Sequence, residues 1–548
     1  MNVRLKVDYK TLIVLITIVL FLSLVIHYWT KTWDDSAITL GFSRNLVKYG
    51  DIIPSQFSDR VEGYSTFLWM LINTIPFRLG FDEDAALVFA KAFSTLLTFI
   101  NIWIFWKLAK ERIHSSFYQI IALLLFTLSI ETLTAAVFGM ETALYATLVM
   151  LSFIFYRRRD QSAFNYALFT AATSLLILIR QEGILFLLPF VIDNFFVRSK
   201  LFWKEPFLYT WIIIFLIYQI WHYSFFGEIL TNPMIAKEQW PYRPVFSSAG
   251  VILQYYLNPF IEFISRYFFL FALLVIYCIR FRKSNVLNVK NDDKSYSIIN
   301  WIAITGIFVM LITGDSWKAA ERLSYPALAF IFLSAFSFID RVSFASLILN
   351  SKLAIVGAFF AFIFGVFTVF TSFIDPQFFI TVDAVRNISN VVTLTQKYLQ
   401  RTSITYAAPD MGGLMLYDGD GKRIIDIGLL CNKELARTGY TELDEYLLQK
   451  EHPEIIEIHD EWVEPFLTSR LFVQKYFPVK VLTNDNERFL FIRQDIVAEI
   501  IEQNGLNEIT LGNESGISPI LYAMLSKYGK YIILDLRGFQ TMELKGAK

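Results

Sequence analysis

The chain has 548 residues, of which 55% are hydrophobic, and its mean hydropathy is +0.48. Only 18% are charged, less than a soluble protein of this length carries, and 49 basic residues balance 49 acidic ones. This composition predicts a membrane protein and excludes the basic field of a nucleic-acid-binding protein. The two cysteines, Cys278 in an apolar segment and Cys431 in a polar one, predict neither a disulfide nor a cysteine-based metal site.

Apolar segments recur along the first 374 residues, and a membrane helix needs about 20 such residues to cross a core of about 30 Å. The first follows basic residues, but no small-residue cleavage site comes after it, so we expect a span rather than a signal peptide. Gly63, Pro76 and Arg78 interrupt the apolar segment 63–80, which predicts an interfacial or re-entrant piece. The eleven predicted spans are 11–28, 84–106, 117–136, 141–156, 163–179, 183–197, 207–224, 260–279, 297–313, 324–339 and 353–374.

The distribution of lysine and arginine between the loops predicts the orientation in the membrane. The amino terminus and the loops on its side carry 19 of these residues, whereas the opposite loops carry 10, although the first opposite loop, 29–83, is the longest. The amino terminus is therefore expected in the cytoplasm. An odd number of spans then places residues 375–548 outside, as expected for a multi-pass protein of the cytoplasmic membrane.

Residues 375–548 have ordinary polarity. SITYAAPD, KRIIDIGLL, PEIIEIH, RFLFIR and KYIILDL are typical of short buried strands, and TELDEYLLQK and SPILYAMLSKYG of helices. The predicted fold is therefore a mostly α-helical membrane domain, 1–374, followed by an extracytoplasmic α/β domain, 375–548.

Asp34 and Asp35 come just past the first span, and adjacent carboxylates at the mouth of a membrane helix are costly unless they have a role. One reading is that they cap the interfacial helix that follows and complement its dipole. One carboxylate suffices for a cap, so we predict that at least one of the two is catalytic and accepts a proton from an attacking hydroxyl. Arg44, nine residues past Asp35, is expected near the same face and is a candidate substrate contact.

Other charged and polar candidates fall, by the parity of the spans, on the same outer side. RVEGYS closes the first outer loop and contains Arg60, Glu62 and Tyr64, which form either a surface ion pair in a turn or a set of substrate contacts. Glu141 in GMET either begins a helix or takes part in the reaction. In IRQEG, Arg180 and Glu182 either pair with each other or bind an anionic headgroup.

Two later outer loops add further candidates. Asn232 begins a turn and Lys237 is the kind of point charge that meets phosphate, although a loop lysine is usually just solvated. Asp315 and Arg322 lie in TGDSWKAAERLSYP, where the arginine is expected either to clamp a phosphate or to pair with a nearby acid. Together these cations suit the transfer of a group from a membrane-held phosphate, since they would offset charge on the leaving phosphate.

Six segments occur in an order that resembles the GT-C superfamily of polytopic glycosyltransferases. The resemblance covers about residues 30 to 430 and is strongest to the branch that contains the mycobacterial terminal β-arabinofuranosyltransferase and related uncharacterised bacterial proteins. The segments are DDSAITLGFSRNLVKYG with RVEGYSTFLW, GMETALYATL, LIRQEGILFLLP, FFGEILTNPMIAK, TGDSWKAAERLSYPAL and APDMGGLMLYDGDGKRIIDIGLL.

This resemblance implies a polyprenyl-phosphate monosaccharide as donor, used on the extracytoplasmic face. It also implies that Asp34 or Asp35 is the general base, while the other aspartate positions the acceptor or holds a divalent metal. We therefore expect an inverting glycosyltransferase that acts on a cell-envelope glycan or glycolipid, with Asp410 of the outer domain near the acceptor. No ligand spacing is diagnostic of a metal, so a need for Mg²⁺ or Mn²⁺ is left open.

The rival class is a membrane transporter or flippase of a lipid-linked sugar. Transporters place binding charges near the midplane, usually on broken helices in repeated halves. The sequence shows no repeat and no central acidic residue in most spans, which favours the enzyme. A purely structural assembly partner would explain the outer domain but not the clustered charges.

Overall fold

A computed structural model of the protein describes residues 9–197, 204–239, 242–243, 248–268, 270–271, 274, 295–314, 319–345, 380–383, 385–386, 392, 396, 401–458, 460–482, 487–504, 509–510, 519–528, 530–535 and 538–540. Up to residue 345 the described chain is almost entirely helical, which confirms the predicted mostly helical fold. Its helices are α1 (Tyr9–His27), α2 (Asp34–Tyr49), α3 (Phe67–Ile72), α4 (Thr74–Arg78), α5 (Glu83–Arg112), α6 (Ser116–Thr127), α7 (Ile130–Val137), α8 (Thr142–Arg158), α9 (Ala163–Ile179), α10 (Leu188–Ile192), α11 (Pro206–Phe226), α12 (Asn232–Ala236), α13 (Ala249–Arg266), α14 (Ser295–Thr313) and α15 (Ala319–Ala345).

Several of these helices are long and apolar enough to cross a membrane. Four qualify singly: Lys10–His27, Glu83–Arg112, Pro206–Phe226 and Arg322–Arg341. The pair α6 and α7 is a fifth candidate, bent by 46° at its break. The α9 helix and Ser297–Thr313 are apolar but shorter. The protein is thus a membrane protein, while the predicted number of eleven spans is not confirmed.

Two of the predicted spans differ from single regular helices. Segment 183–197 falls within a 3₁₀ stretch (Gln181–Leu187), α10 and a π-helical turn (Asp193–Val197). Segment 117–136 corresponds to the bent pair α6 and α7, because the helix is interrupted between Thr127 and Ile130. The predicted span 353–374 lies outside the described residues, and 260–279 is described only in part.

The α5 helix shows how its terminal residues fix a membrane helix. The Asp82 side chain accepts a hydrogen bond from the Ala85 N–H at 2.8 Å, which caps the helix, and Glu83 and Asp84 add negative charge to its first turn. Basic residues occupy its last turn. Its 30 residues extend about 45 Å, enough for both ends to reach the headgroup region.

A mixed β-sheet runs through the described chain after residue 400. Its strands run in the order β10-β9-β6-β7-β5-β3-β4, with β8 paired to β9; β3 is parallel to β4 and β5, and β6 is antiparallel to β7. A separate two-stranded ribbon pairs β1 with β2. The strands are β1 (Lys31–Thr32), β2 (Ile380–Thr381), β3 (Ile404–Ala408), β4 (Lys422–Asp426), β5 (Ile455–Glu457), β6 (Tyr476–Leu482), β7 (Glu487–Arg493), β8 (Ile509–Thr510), β9 (Lys530–Asp535) and β10 (Gly538–Gln540).

Alternate residues of β3 pack on opposite faces of this sheet. Ile404 and Tyr406 join a core with Ile38 and Phe42 of α2, whereas Ala407 joins the core on the far side. The helix α2 is therefore buried between the membrane helices and the sheet, with Ser36 to Asn45 all buried. This corrects the prediction that the helix lies at the membrane surface: polar residues such as Ser43 and Asn45 find partners inside the protein.

A short helix of the sheet domain, α16 (Gly412–Asp418), lies against α2. At Gly41 the two helices approach so closely that an added Cβ would stand 2.7 Å from the Cβ of Met415. Glycine is therefore required at this crossing, and it brings the amino-terminal end of α16 to the start of α2.

Candidate active site

Asp34 and Asp35 open α2 but have different surroundings. Asp34 accepts hydrogen bonds from the backbone N–H groups of Gly412 at 2.8 Å and Gly413 at 3.2 Å. Burial and the carboxylate of Asp410 raise the pKa of Asp34 to about 8, against the effect of these two N–H groups. Neither aspartate side chain caps α2. Asp34 instead joins α2 to the sheet domain.

Asp35 faces a pocket. Its side chain is 42% exposed although it lies deep in the protein, because the exposed surface borders the empty space of the pocket. Nη1 of Arg322 donates a hydrogen bond to its Oδ2 at 2.5 Å. Burial by itself would raise the pKa of Asp35, but the charges of Arg322, Lys237 and Arg180 outweigh burial and hold the pKa below its usual value. Asp35 is therefore a carboxylate at neutral pH.

Arg322, on α15, has hydrogen-bond donors that its contact with Asp35 does not occupy. Its Nη2 is 3.9 Å from Oε1 of Glu141, and its guanidinium lies over the Trp33 ring, 5.2 Å from the centroid. Its Nε is buried and has no hydrogen-bond partner in the described part of the chain. The guanidinium is thus fixed in place by Asp35 and Trp33 with capacity for a further acceptor.

Arg180 directly follows α9 and is 5% exposed. Its Nη1 donates to Oε1 of Glu141 at 2.6 Å, and its Nε and Nη2 each donate to an oxygen of Glu182 at 3.2 Å. Burial opposes the ionisation of Glu182, but the charge of Arg180 lowers the pKa of Glu182 to about 2. Two carboxylates therefore neutralise Arg180 and hold it rigidly in the pocket wall.

Lys237 follows α12 and completes the basic side of the pocket. Burial, together with the charges of Arg180 and Arg322, lowers the pKa of Lys237 to about 8. No described residue accepts a hydrogen bond from its ammonium group. A half-buried lysine that is repelled by neighbouring cations gains from an incoming anion.

Hydroxyl groups also line the pocket. The segment that follows Glu62 contributes Tyr64, Ser65 and Thr66, and α2 contributes Thr39. The hydroxyls of Tyr64 and Thr66 are buried without a hydrogen-bond partner among the described residues. The pocket holds about 430 Å³ of space free of atoms, including its opening. The arrangement of carboxylate, cations and hydroxyls suits a polar, anionic ligand.

Two predicted site residues lie elsewhere. Arg44 is bound to Glu83 and to Asp420, at 2.8 Å and 2.9 Å. Nine residues of helix are about two and a half turns, so Arg44 is on the opposite side of α2 from Asp35, not on the same face. Arg60 pairs with Asp51 at 2.8 Å and borders a second cavity, between the loop after α2 and the chain around β4.

The remaining predicted residues contact other residues of the site without lining the pocket, or lie outside the described chain. Glu62 is 2% exposed and bound to His222. Asn232 Nδ2 donates to the carbonyl oxygens of Leu429 and Leu430 at 2.9 Å and 2.8 Å, which holds Leu430 in the pocket wall. Asp410 acts on Asp34 by its charge, and Asp315 lies outside the described residues.

Sequence reasoning missed several residues of the site. Trp33, which stacks on Arg322, precedes the acidic pair, and Thr66 follows the RVEGYS motif directly. Thr66 already lies within the segment RVEGYSTFLW and Trp33 directly precedes Asp34, but an uncharged residue beside a charged motif gives no signal of its own. His222 lies in an apolar span, and nothing in the sequence links it to Glu62, 160 positions earlier.

No group of three or more His, Cys, Asp or Glu side chains within the described part of the chain has the arrangement of a metal site. A divalent cation stays a prediction from the sequence.

The fold is similar to two solved structures. ArnT from Cupriavidus metallidurans, in a crystal structure bound to undecaprenyl phosphate, matches with a TM-score of 0.52 and 12% identity over 89% of this chain and 98% of that chain. The archaeal oligosaccharyltransferase AglB from Archaeoglobus fulgidus, in complex with an inhibitory peptide and a dolichol-phosphate, matches with a TM-score of 0.50 and 11% identity over 95% of this chain and 77% of that chain.

Both neighbours belong to the GT-C superfamily, so the predicted GT-C fold is confirmed. No family model and no curated protein matches the sequence. The resemblance to the mycobacterial branch stays a prediction. At these identities the shared fold leaves the activity to be argued from the site.

Proposed function

We propose that the protein is an inverting glycosyltransferase that transfers a monosaccharide from a polyprenyl-phosphate donor to a cell-envelope glycan or glycolipid. One observation carries the proposal: Asp35 and the cations Arg180, Lys237 and Arg322, from four separate segments of a membrane protein, border one pocket. The sequence places this pocket at the extracytoplasmic face.

The donor class follows from the charge of the pocket and is supported by the neighbours. Their structures contain undecaprenyl phosphate and a dolichol-phosphate. A phosphodiester with one negative charge becomes a phosphate monoester with nearly two when its sugar leaves. Lys237 and the spare donors of Arg322 would offset this growing charge, which favours the transition state over the bound donor.

The reaction balances without a further reactant. The acceptor hydroxyl gives its proton to Asp35 while its oxygen forms a bond to the anomeric carbon. The bond from that carbon to the phosphate oxygen breaks, and the electron pair leaves with the lipid phosphate. Attack from the face opposite the phosphate inverts the anomeric configuration.

Asp35 has a low pKa and is therefore a weak base in the free protein. An acceptor hydroxyl becomes acidic only as its oxygen bonds to carbon, so the proton moves late and position counts more than basicity. Arg322 must also loosen its hold on Asp35, and the donor phosphate is the ligand that can draw it away.

The sheet domain would border the acceptor. Asp426 of β4 accepts hydrogen bonds from the N–H groups of Gly428 and Cys431, both at 2.6 Å. These bonds shape the loop that carries Leu430 into the pocket. Asp426 therefore supports the site through the backbone, and Asp410 acts on Asp34 by its charge. The alternative predicted from sequence, a transporter or flippase, has no observation in its favour in the described chain.

The proposal is tested by comparing D35N with D34N. Purified protein in nanodiscs is given a panel of undecaprenyl-phosphate monosaccharides, and release of undecaprenyl phosphate is measured with envelope glycolipid as acceptor. D35N is expected to lower the rate about 10³-fold, the contribution of a general base. D34N is expected to stay within about tenfold, because a carboxyl with a pKa of about 8 is already largely protonated at pH 7. Full activity of D35N would refute the proposal.

A further inference from the structure

We infer that His222 is a positioning residue for this reaction, because it ties together two segments of chain that both line the pocket. The inference rests on the proposed function and adds a residue to its machinery. His222 lies one turn before the end of α11 and is 1% exposed.

Each ring nitrogen of His222 meets one of these segments. Nε2 is hydrogen-bonded to Oε2 of Glu62, which is itself 2% exposed. Nδ1 is 2.7 Å from the backbone carbonyl oxygen of Glu228. Tyr218, one turn earlier on α11, donates from its hydroxyl to the other oxygen of Glu62 at 3.3 Å.

The two contacts require a specific number of protons. A carbonyl oxygen only accepts, so Nδ1 carries a proton. Nε2 then meets a carboxyl oxygen, and one more proton must lie between them: the pair is either an imidazolium with a carboxylate or a neutral imidazole with a carboxylic acid. In both forms His222 binds both segments at once, which a neutral imidazole beside a carboxylate cannot do.

Both tethered segments lead directly into the pocket. Glu62 is followed by Gly63, Tyr64, Ser65 and Thr66, all of which line it. Glu228 begins the segment that continues through Asn232 to Lys237. The unpartnered hydroxyls of Tyr64 and Thr66 and the ammonium of Lys237 therefore keep their spacing through one buried side chain.

Such spacing matters for the transfer of a sugar. Tyr64 and Thr66 can hydrogen-bond the sugar only if they stay at a fixed distance from the cation that holds its phosphate, and displacements of about 1 Å at a reacting centre cost about 100-fold in rate. Exposed charges and loose loops do not supply this rigidity, whereas a buried and fully paired contact does.

The experiment uses three variants of the full chain in nanodiscs, with the undecaprenyl-phosphate monosaccharide that the wild type uses best. H222Q leaves Glu62 buried without a cation or a shared proton beside it, because a carboxamide can donate an N–H to Glu62 but carries no charge, and the variant loses the contact to Glu228. E62Q keeps both contacts, because the carboxamide N–H can donate to Nε2 of a neutral ring. E62Q/H222Q removes the stranded charge. H114Q is the matched control, since His114 also pairs with a carboxylate, that of Asp340, but lies at the far end of α5.

The expected result is a graded effect on donor binding. H222Q lowers kcat/KM at least about tenfold, mainly through a higher KM for the donor. E62Q and H114Q stay within about threefold of the wild type, and the double variant recovers at least about threefold over H222Q, as expected for two coupled residues.

Three results would overturn the inference: H222Q with unchanged KM, E62Q as impaired as H222Q, or a double variant no better than H222Q. A loss confined to the yield of folded protein, with normal KM in the folded fraction, would show a purely structural role and also overturn it. If the wild type itself transfers no sugar from any donor, the proposed function fails instead, so the two failures are distinguishable.

Discussion

At the residue scale, the chemistry depends on the contact between Asp35 and Arg322. The contact fixes both side chains in the free protein, but it also occupies Oδ2, one of the two carboxylate oxygens of Asp35 that could accept a proton. Binding of a donor phosphate to Arg322 would free Asp35, and by linkage the loss of the Asp35 charge would favour binding of the phosphate. The base would then be exposed only when a donor is present.

This competition predicts that D35N binds undecaprenyl phosphate more tightly than the wild type, by about tenfold, although it transfers sugar about 10³-fold more slowly. The binding constant is measured with undecaprenyl phosphate alone in nanodiscs. E182Q is the matched control, because it removes a nearby negative charge that is paired with Arg180 rather than Arg322, and a smaller gain is expected.

The same measurement in an R322Q background separates competition from simple repulsion. If Asp35 acts by holding Arg322, D35N has little further effect when Arg322 is absent. An equal gain with and without Arg322, or no gain at all, would contradict the proposed exchange.

The lowered pKa of Lys237 predicts that kcat/KM for the donor falls at alkaline pH. With its pKa lowered to about 8, the ammonium is charged below this pH and neutral above it. The donor kcat/KM, which reports the free enzyme, is therefore expected to be level between pH 6 and 7.5 and to fall above pH 8. K237R keeps its charge and should move the fall beyond pH 10. A fall near pH 8 that persists in K237R would assign it to another group, such as Asp34.

The sequence predicted which loops contribute to the site, because this depends only on the parity of the predicted spans. The motifs with Tyr64, Glu141, Arg180, Lys237 and Arg322 all follow or precede spans on one side, and the structure brings them to one pocket. The sequence could not predict that Asp34 binds the backbone while Asp35 faces the pocket. This difference depends on N–H groups of residues 412 and 413, almost 380 positions away.

At the scale of elements, the crossing of α2 and α16 couples the membrane helices to the sheet domain. G41A is expected to destabilise the protein by about 1–3 kcal/mol, because its Cβ would meet the Met415 Cβ at 2.7 Å and neither backbone can yield easily. The apparent Tm in detergent measures this loss. The effect outweighs the better helix propensity of alanine, worth about 1 kcal/mol.

G250A is the matched control for this substitution. Gly250 lies in the first turn of α13, and an added Cβ would have only the Ser248 hydroxyl near it, at 3.9 Å. Its apparent Tm should equal or exceed that of the wild type. A G41A protein as stable as G250A would show that the crossing is not tight.

Strand β6 shows why some elements could not be predicted. Its YFPVKVL segment contains Pro478, which argues against a central strand. In the sheet, Pro478 pairs with Phe491 of β7, and the pairing with β9 starts one residue later, at Val479. The missing N–H is thus tolerated because the strand has a neighbour on only one side at that point.

For the whole molecule, the described spans and the sheet domain enclose the pocket between them. The helical part supplies the cations, Asp34 and Asn232 bind it to the sheet part by hydrogen bonds, and the sheet part reaches the pocket at Leu430. Hydropathy predicted the mostly helical fold, because every span must satisfy its own backbone in lipid. It did not predict the bent pair α6 and α7, which depends on packing.

The central claim is that a lipid phosphate binds beside Asp35 at the end of the helices that carries the sheet domain. A cryo-EM structure in nanodiscs with undecaprenyl phosphate tests it most directly. We expect the phosphate within hydrogen-bond distance of Lys237 and Arg322, with Arg322 turned from Asp35 and the lipid tail directed into the bilayer. A phosphate bound midway along the helices, or away from all three side chains, would contradict the claim and favour transport.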